Sequence, residues 1–374
     1  MVIISVDLGT TNVKAAAFED HLQLLGSFSR TVDYRSDGDR VEFSPDDYFG
    51  LIVECIRGCV SSGVAKPNEV RRLVLTGQAE SLVMLDGAGR PARDAISWLD
   101  MRSTAECDVL TREFPPEVAY EITGQPAIIP TWPITKILWL RTHEPETFAG
   151  IATYALLKDY VLYRLTGELA GEYSIYNFTH YFDIRRKSYW AEILDRCGVR
   201  PDQLPPLVEP QTVVGTLTAA AASELGLPGE VLVSAGTLDH FAGMIGTGNI
   251  QEGVVSETTG TVLSVAALAS DTPTVSGSMP IHYGPFPDSY VYLPVCESGG
   301  ISLDWFLKTF AERLSYVELN EKLLERSWDP ELLFLPYLTG VNAPDFNSSA
   351  SGVFFGMRLE HDRIDLASAV MEGV

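Results

Sequence analysis

Residues 2–18 read VIISVDLGTTNVKAAAF, in which two apolar runs flank a short polar turn. This pattern predicts a strand, a tight turn and a second strand. A turn of glycine and threonine offers backbone N–H groups and hydroxyls to an anion, and an adjacent carboxylate suits Mg²⁺. The residues that could take part are Asp7, Gly9, Thr10, Thr11 and Lys14. The alternative is an ordinary hairpin whose aspartate caps its own turn, and the spacing of a Walker loop is absent.

The composition of the whole chain limits the classes of protein to which it can belong. Among 374 residues, Asp and Glu number 50 and Lys and Arg 27, which gives a formal net charge of −23. That charge argues against nucleic acid or an anionic membrane surface as a partner. No apolar run reaches the ~18–20 residues of a membrane-spanning helix. The five cysteines are scattered and predict reduced thiols in a cytoplasmic protein, not a disulfide framework or a zinc site.

Strand-like and helix-like segments alternate along the chain, and this order predicts an α/β fold. Helices are predicted at residues 45–60, 133–141, 155–165 and 215–225. Ser44 supplies a cap for the first of these helices and Pro45 its first position. Strands are predicted at residues 70–76, 81–85 and 231–235. At ~100–200 residues per domain, the length favours two domains. A second acidic turn rich in Gly and Thr, at residues 255–261, is what a duplicated α/β unit would produce.

The segment GTLDH at residues 236–240 carries a candidate catalytic carboxylate. A strand runs into a glycine turn, and Asp239 follows at the start of a predicted helix. The helix N-terminus can hold such a carboxylate ionised, and the carboxylate can accept a proton from a substrate hydroxyl. The alternative interpretation is that Asp239 serves as a helix cap, which is a frequent role of aspartate at this position.

Polar residues also interrupt the apolar segments between residues 76 and 102. Gln78 and Glu80 separate two predicted strands. Polar groups that are buried between strands cost stability unless they find hydrogen-bond partners. Trp98, Asp100 and Arg102 would share one side if their stretch were extended. An aromatic wall with carboxylates and an arginine suits a ligand that carries many hydroxyls. The alternative is a structural ion pair between Asp100 and Arg102 beside a core tryptophan.

Taken in this order, the segments resemble the FGGY family of carbohydrate kinases. The matching segments are DLGTTNVK at 7–14, TGQAES at 76–81, ISWLDMR at 96–102, GTLDHFAGMIGTG at 236–248, TGT at 259–261, FLPYLTG at 334–340 and GVFFG at 352–356. The resemblance implies an actin-like, ribonuclease-H-like ATPase fold of two domains around a cleft, divided here into residues 1–240 and 241–374. It also implies a small sugar or polyol as substrate, with a pentulose such as xylulose favoured, and ATP and Mg²⁺ as cofactors. Dimers are frequent among the members of this family.

The resemblance also implies roles for individual residues. Asp239 would be the general base, and Asp7 would hold Mg²⁺ through water. The residues implied at the ATP phosphates are Gly9, Thr10, Thr11, Lys14, Gly260, Thr261 and Gly300. The residues implied at the sugar are Gln78, Glu80, Trp98, Asp100, Arg102 and His240.

Two features depart from the family pattern. The sequence stops at Val374 inside a helix-like stretch, whereas family members continue into an adenosine-binding segment. This predicts an incomplete second domain, and the alternative is a truncated, non-catalytic sugar-binding remnant. Ala79 and Glu80 stand where xylulokinase-like members carry Met-His and glycerol-kinase-like members Arg-Glu, so a pentulose, a sugar acid and a polyol all stay open. The acidic cluster weighs against gluconate unless Arg102 compensates. An actin- or chaperone-like ATPase is a third hypothesis, against which the sugar-type segments count.

Overall fold

The computed structural model describes residues 1–260, 262–271, 279–296, 298–311, 314–341, 343, 345, 347 and 349–374. Strands and helices alternate along the described chain, so the predicted α/β class is confirmed. Among the described residues, every helix is too short or too polar to cross a bilayer. The chain divides into two compact units, of which the first comprises mainly Met1–Gly248 and Ile281–Val291 and the second mainly Asn249–Leu268 and Tyr292–Val374.

The described strands are β1 (Val2–Leu8), β2 (Asn12–Glu19), β3 (Leu24–Thr31), β4 (Arg35–Asp37), β5 (Arg40–Phe43), β6 (Val70–Gly77), β7 (Leu82–Leu85), β8 (Ala95–Ile96), β9 (Thr153–Leu156), β10 (Gly171–Glu172), β11 (Phe182–Asp183), β12 (Ser188–Tyr189), β13 (Leu207–Val208), β14 (Val213–Thr216), β15 (Leu232–Leu238), β16 (Val255–Thr259), β17 (Leu263–Ala269), β18 (Ile281–Tyr283), β19 (Tyr290–Tyr292), β20 (Val295–Cys296), β21 (Leu333–Leu335) and β22 (Val353–Phe355).

The described α-helices are α1 (Pro45–Ser61), α2 (Thr104–Glu113), α3 (Pro116–Thr123), α4 (Pro133–His143), α5 (Pro145–Gly150), α6 (Leu157–Thr166), α7 (Tyr173–Tyr176), α8 (Ala191–Cys197), α9 (Ala219–Leu225), α10 (Asp239–Gly246), α11 (Ile301–Phe310), α12 (Tyr316–Leu324) and α13 (Arg363–Gly373).

A six-stranded sheet in the order β14-β15-β6-β1-β2-β3 forms the centre of the first unit. β1 and β15 both run parallel to β6, whereas β2 runs antiparallel to β1. Ile4, Val6 and Leu8 alternate along β1 and expose none of their surface, which is the pattern of a strand with a buried face. Helix α1 lies against β2 and β3. Its buried residues Ile52 and Ile56 are four apart and therefore share one face.

Local signals in the sequence predict the first elements of the chain correctly. The predicted strand, turn and strand are β1 and β2, which pair from Val2–Glu19 to Leu8–Val13. The predicted cap of α1 is confirmed, because the Ser44 hydroxyl accepts a hydrogen bond from the N–H of Asp47 at 3.1 Å.

Two predicted helices begin later than the sequence pattern indicates. The stretch expected to be helical from residue 155 starts as β9, because Leu156 pairs with Leu82 of β7. The stretch expected to be helical from residue 215 starts inside β14, which pairs with β15. Its helix, α9, begins only after the cap Thr218. In both cases, pairing with a distant strand prevails over local helix propensity.

The second unit has a smaller core of its own. Residues from α11, α12, α13 and β21 are buried together, among them Phe306, Leu319, Phe334 and Val370. β21 and β22 pair antiparallel, and the rings of Phe334 and Phe354 pack in a tilted arrangement with their centroids 4.6 Å apart. The opposite face of this two-stranded sheet is apolar and exposed. It is formed by Leu333, Leu335, Val353 and Phe355.

Candidate functional site

Three parallel strands of the first unit end at the same edge of the central sheet. The register places Asp7 of β1 beside Thr76 of β6, and Thr76 beside Thr237 of β15. The Thr76 hydroxyl also donates to the carbonyl of Thr237 at 2.9 Å. Residues at the ends of these strands or within a few residues after them therefore meet at one edge, as they do in other open α/β sheets that bind ligands there. We call this group, which comprises Asp7, Gly9, Glu80 and Asp239, the strand-end site.

The turn after β1 is shaped by a glycine and is hydrogen-bonded to its neighbours. A Cβ atom on Gly9 would lie 2.5 Å from the carbonyl oxygen of Asn12, so a larger residue does not fit. The Tyr48 hydroxyl donates to the Gly9 carbonyl at 2.9 Å. The indole N–H of Trp98 donates to the Thr10 hydroxyl at 2.8 Å. The residue predicted at phosphate and the residue predicted at sugar are thus in direct contact.

Asp7 carries an unusual charge environment for a residue beside a turn. Burial and, to a lesser extent, the charge of Asp239 raise the pKa of Asp7, Lys14 opposes this rise, and the net pKa is about 6. Two carboxylates that destabilise one another are relieved by a bound cation. Among the described residues, no group of three or more His, Cys, Asp or Glu could hold a metal. Mg²⁺ is commonly held by one or two carboxylates with water and phosphate, so Asp7 and its surroundings fit this ion.

The remaining residues of the first turn lie at the surface. Thr11 and Lys14 are exposed, and Lys14 pairs with Asp7 across the hairpin of β1 and β2.

The side-chain amide of Gln78 donates to the Gly9 carbonyl at 3.4 Å, and its backbone N–H donates to the Leu8 carbonyl at 3.1 Å. Gln78 therefore joins the segment after β6 to the turn after β1.

Glu80 follows β6 in a conformation that non-glycine residues seldom adopt. Its φ is +68°, and such strain is concentrated at functional sites. Its Oε2 atom is shielded from solvent and has no hydrogen-bond partner among the described residues. Burial raises the pKa of Glu80, the Lys136 ammonium and the Thr131 hydroxyl oppose this rise, and Asp239 adds to it. Glu80 is consequently a carboxylate with an unused acceptor.

Asp100 and Arg102 form an ion pair within a turn. The chain is not extended here, because the N–H of Asp100 donates to the carbonyl of Ser97 at 3.1 Å. Arg102 donates to the fully buried Asp100 carboxylate through Nε at 2.8 Å and to Glu42 through Nη2 at 2.6 Å. The backbone N–H of Val41 donates to the same carboxylate at 2.6 Å. The ion pair of the alternative interpretation is therefore present, and contact of either residue with a sugar stays a prediction.

Asp239 begins α10 at the end of a bulged strand. Gly236 has a φ of +67°, and a Cβ atom there would lie 1.7 Å from the Leu75 carbonyl oxygen. This glycine is therefore needed for the turn that brings Asp239 to the sheet edge. One oxygen of Asp239 accepts the N–H of His240 at 2.6 Å. Burial raises the pKa of Asp239, and His240 and Lys158 oppose the rise.

Two residues that were predicted to bind phosphate come together in the second unit. The N–H of Gly300 donates to the carbonyl of Gly260 at 2.9 Å. A Cβ atom on Gly300 would lie 2.4 Å from that same oxygen, so the close approach requires glycine. Gly300 directly precedes α11, whose N-terminus favours an anion. Thr261, predicted at the same loop, lies outside the described residues.

Comparison with known proteins identifies the family. Residues 2–246 match the family model described as the N-terminal domain of the FGGY family of carbohydrate kinases. The chain belongs to this family. It is a carbohydrate kinase, and the actin-like ATPase fold predicted from the sequence is confirmed.

Relatives of this FGGY kinase are similar along its whole length. The xylulose kinase of Bacillus subtilis is 30% identical over 375 residues, which cover 100% of this chain and 75% of the relative. The gluconokinase of Bacillus subtilis is 24% identical over 389 residues and is covered to 74%. The crystal structure of a xyloylose kinase from Brucella ovis is 27% identical, with a TM-score of 0.92, and covers 100% of this chain and 76% of its own. The FGGY kinase chain thus spans about three quarters of these relatives.

A buried ion pair that was not predicted from the sequence supports the segment of the FGGY kinase that carries Asp239. Lys158 Nζ lies 2.6 Å from Glu172 Oε1, and neither side chain is exposed. The Ser174 hydroxyl donates to Glu172 Oε1 at 2.8 Å and accepts the N–H of Leu238 at 3.0 Å. This chain of contacts ends one residue before Asp239. In the sequence, only the lysine among the apolar residues of α6 indicated a buried charge. The spacing of residues along the chain does not identify Glu172 as its partner.

A second buried lysine also escaped the sequence analysis. Lys136 lies on α4 and exposes none of its surface. Its ammonium donates to the carbonyl oxygens of Ser97 at 2.8 Å and Thr131 at 2.7 Å. The segment PITKILWL at residues 133–140 holds this cation among apolar residues, which was a usable signal for a buried charge.

Proposed function

We propose that this chain transfers the γ-phosphoryl group of ATP to a hydroxyl of a small neutral sugar, with a pentulose such as xylulose favoured. The observation that carries this proposal is the meeting of Asp7, Glu80 and Asp239 at one sheet edge. The similarity to the xylulose kinase of Bacillus subtilis supports the choice of sugar. Phosphoryl transfer needs positioning, charge stabilisation and a base, and these three carboxylates supply parts of each.

Asp239 is the proposed general base. One of its oxygens is occupied by the N–H of His240, which leaves the other to accept the proton of the attacking hydroxyl. Burial raises the pKa of Asp239, and a carboxylate of raised pKa takes a proton more readily at neutral pH. The buried pair of Lys158 and Glu172 fixes the end of β15, which directly precedes Asp239.

Asp7 is the proposed holder of Mg²⁺. When bound, the metal neutralises charge on the phosphates of ATP during transfer. The glycine turn lets an anion approach the backbone N–H groups, because a side chain at Gly9 does not fit. The residues proposed at the phosphates are Gly9, Thr10, Thr11, Lys14, Gly260, Thr261 and Gly300.

The sugar is proposed to lie against Glu80, Trp98 and His240, with Gln78 behind them. An ionised carboxylate only accepts hydrogen bonds, so Glu80 suits the hydroxyls of a neutral sugar. Arg102 is already engaged by Asp100 and Glu42. Arg102 therefore does not offset the repulsion between this acidic group and a sugar acid, and gluconate becomes the weaker candidate. Asp100 and Arg102 are proposed to fix the segment that carries Trp98.

The test is coupled ADP release with Mg-ATP over a panel of xylulose, ribulose, gluconate, glycerol and erythritol. We expect ADP release that depends on one neutral sugar and is weak or absent with gluconate. ATP turnover that is the same with and without every sugar would contradict a sugar kinase and favour a conformational ATPase. Sugar binding without any turnover would favour a non-catalytic sugar-binding protein.

Substitution of the proposed base gives the sharpest test of the mechanism. Asp239→Asn should lower kcat by about 10²- to 10⁴-fold, the usual contribution of a general base. Sugar binding, measured by calorimetry, should change much less. Asp195→Asn, an exposed aspartate on α8, is the matched control and should keep wild-type activity. An Asp239→Asn variant that keeps most of its kcat would remove this residue from the mechanism.

A further inference from the structure

The indole of Trp98 has a polar end that the sugar does not use in the proposed mechanism. Its N–H donates to the Thr10 hydroxyl at 2.8 Å. An indole nitrogen only donates hydrogen bonds, so the Thr10 oxygen is the acceptor in this contact. The hydrogen of the Thr10 hydroxyl consequently points away from the indole. Among the described residues this hydroxyl makes no second hydrogen bond, so its hydrogen is left for a ligand.

A closed set of hydrogen bonds fixes Trp98 relative to the turn after β1. The backbone N–H of Trp98 donates to the Ser81 hydroxyl at 3.2 Å, and that hydroxyl donates to Oε1 of Gln78 at 2.7 Å. The amide of Gln78 donates to the carbonyl of Gly9, which directly precedes Thr10. Ser81 and Gln78 are buried. The backbone and the side chain of Trp98 are therefore both held to the same turn, and we call this set of contacts the turn network.

The direction of the Thr10 hydroxyl matters because the turn suits an anion. A side chain does not fit at Gly9, and a glycine turn lets an anion approach the backbone N–H groups. A threonine hydroxyl can donate or accept a hydrogen bond, but only the donating orientation stabilises a phosphate oxygen. Because the indole N–H occupies the acceptor side of Thr10, the contact with Trp98 selects the donating orientation.

We propose that Trp98 is a positioning residue for ATP, because its indole N–H directs the Thr10 hydroxyl to donate to a phosphate oxygen. The inference rests on the proposed function, and it deepens that function by naming a residue that serves both substrates. The face of the indole lies against the sugar, and its N–H acts on the phosphate through Thr10. Trp98 itself touches no phosphate in this scheme.

The first experiment compares the wild-type chain with Trp98→Phe, which keeps an aromatic face and removes only the N–H donor. Calorimetry measures the Kd of Mg-AMP-PNP, a non-hydrolysable ATP analogue, and separately the Kd of the sugar that binds the wild type most tightly. For Trp98→Phe we expect the Kd of the analogue to rise by about 3- to 10-fold, the effect of one neutral hydrogen bond. The Kd of the sugar should change by less than about twofold. Trp328→Phe, at an exposed tryptophan of the second unit, is the matched control and should change neither Kd.

A double-mutant cycle with Thr10 separates positioning from a general loss of structure. Thr10→Val removes the hydroxyl and should weaken binding of the analogue, whereas Thr10→Ser keeps the hydroxyl and should bind it nearly as the wild type does. In the Thr10→Val background, Trp98→Phe should have almost no further effect on the Kd of the analogue, because the two residues act through one hydroxyl. Effects that add in the double variant would overturn the inference. So would an unchanged Kd of the analogue in Trp98→Phe, or a loss of sugar affinity as large as the loss of analogue affinity.

A crystal structure of the wild-type chain with Mg-AMP-PNP provides the test if Trp98→Phe does not fold. A phosphate oxygen about 2.5–3.0 Å from Thr10 Oγ1, with the indole N–H still on the same oxygen atom of Thr10, supports the inference. A Thr10 hydroxyl without a phosphate contact overturns it. These measurements do not depend on turnover, so failure of the proposed function is a separate result, namely a wild-type chain that releases no ADP with any sugar.

Discussion

Two buried lysine–glutamate pairs in the first unit differ in how they use their hydrogen-bonding capacity. Lys158 and Glu172 are in contact at 2.6 Å, and the second oxygen of Glu172 accepts the N–H of Ser174 at 2.8 Å. Lys136 and Glu80 influence each other electrostatically, but Glu80 Oε2 has no partner among the described residues. We call the first pair the closed pair, because both oxygens of its carboxylate have partners. We call the second the open pair, because Glu80 Oε2 has none.

This difference in hydrogen bonding distinguishes a structural pair from a pair that can bind a ligand. A buried ion pair is tolerated when its groups are paired and hydrogen-bonded, and removal of one partner is strongly destabilising. A buried acceptor without a partner costs free energy in the free protein. The strained φ of Glu80 adds to this cost. A ligand hydroxyl recovers the lost hydrogen bond, which is why we place the sugar at the open pair and a structural role at the closed one.

The largest expected effect on stability is at the closed pair. Lys158→Met leaves the Glu172 carboxylate buried without its cation and should lower the free energy of unfolding by about 3–5 kcal/mol. Urea denaturation measures this change. The control is Lys66→Met, whose exposed ion pair with Glu69 at 3.0 Å should be worth only about 0–1 kcal/mol. Equal losses in the two variants would mean that the closed pair contributes no more than a surface pair.

The next effect distinguishes the two glutamates by the same substitution. Glu80→Gln should raise KM for the sugar by about 10- to 100-fold, because a hydrogen bond to a charged group is replaced by one to a neutral amide. The free energy of unfolding of Glu80→Gln should stay the same or increase, because the substitution removes an unpaired buried carboxylate. Glu172→Gln should show the reverse, with lowered stability and a nearly unchanged KM. A stability loss in Glu80→Gln as large as that in Glu172→Gln would erase the proposed difference between the pairs.

The last comparison concerns a third buried carboxyl next to the closed pair. Burial raises the pKa of Asp159 from 3.8 to about 7, so the folded state binds its proton more tightly than the unfolded state does. The stabilisation from this proton is present below pH 4 and is lost as the pH rises toward 7. Urea unfolding of wild type and Asp159→Asn between pH 4.5 and 7 should therefore show a difference that changes with pH in that direction. Parallel pH dependences would exclude Asp159 as a source of pH-dependent stability.

The sequence predicts elements whose signals are local. The turn after β1 and the cap of α1 depend on neighbouring residues, and both are found as expected. The strand β9 was missed because it exists through pairing with β7, about 70 residues earlier in the chain. Turn composition indicated Asp7, Glu80 and Asp239, because each lies near the end of a strand of the central sheet or in the turn that follows it. Their meeting at one edge follows from the parallel order of β1, β6 and β15.

Buried charges were beyond the reach of sequence patterns for a different reason. Glu172 has no feature in its neighbourhood that marks it as the partner of Lys158. Lys136 is recognisable as a cation in an apolar helix, but its contacts with Ser97 depend on packing between distant segments. The turn at residues 97–102 likewise replaces an extended segment, because the Asp100 carboxylate is held by Val41 from another strand. Such contacts become visible only when the chain is folded.

The central claim is that a sugar hydroxyl occupies the open acceptor of Glu80 while another faces Asp239. A crystal structure of the chain with its best substrate sugar measures this directly. The account predicts a hydroxyl oxygen about 2.5–3.0 Å from Glu80 Oε2, a second hydroxyl at the Asp239 carboxylate, and Lys158 and Glu172 unchanged. A bound sugar that leaves Glu80 Oε2 without a ligand contact would contradict it.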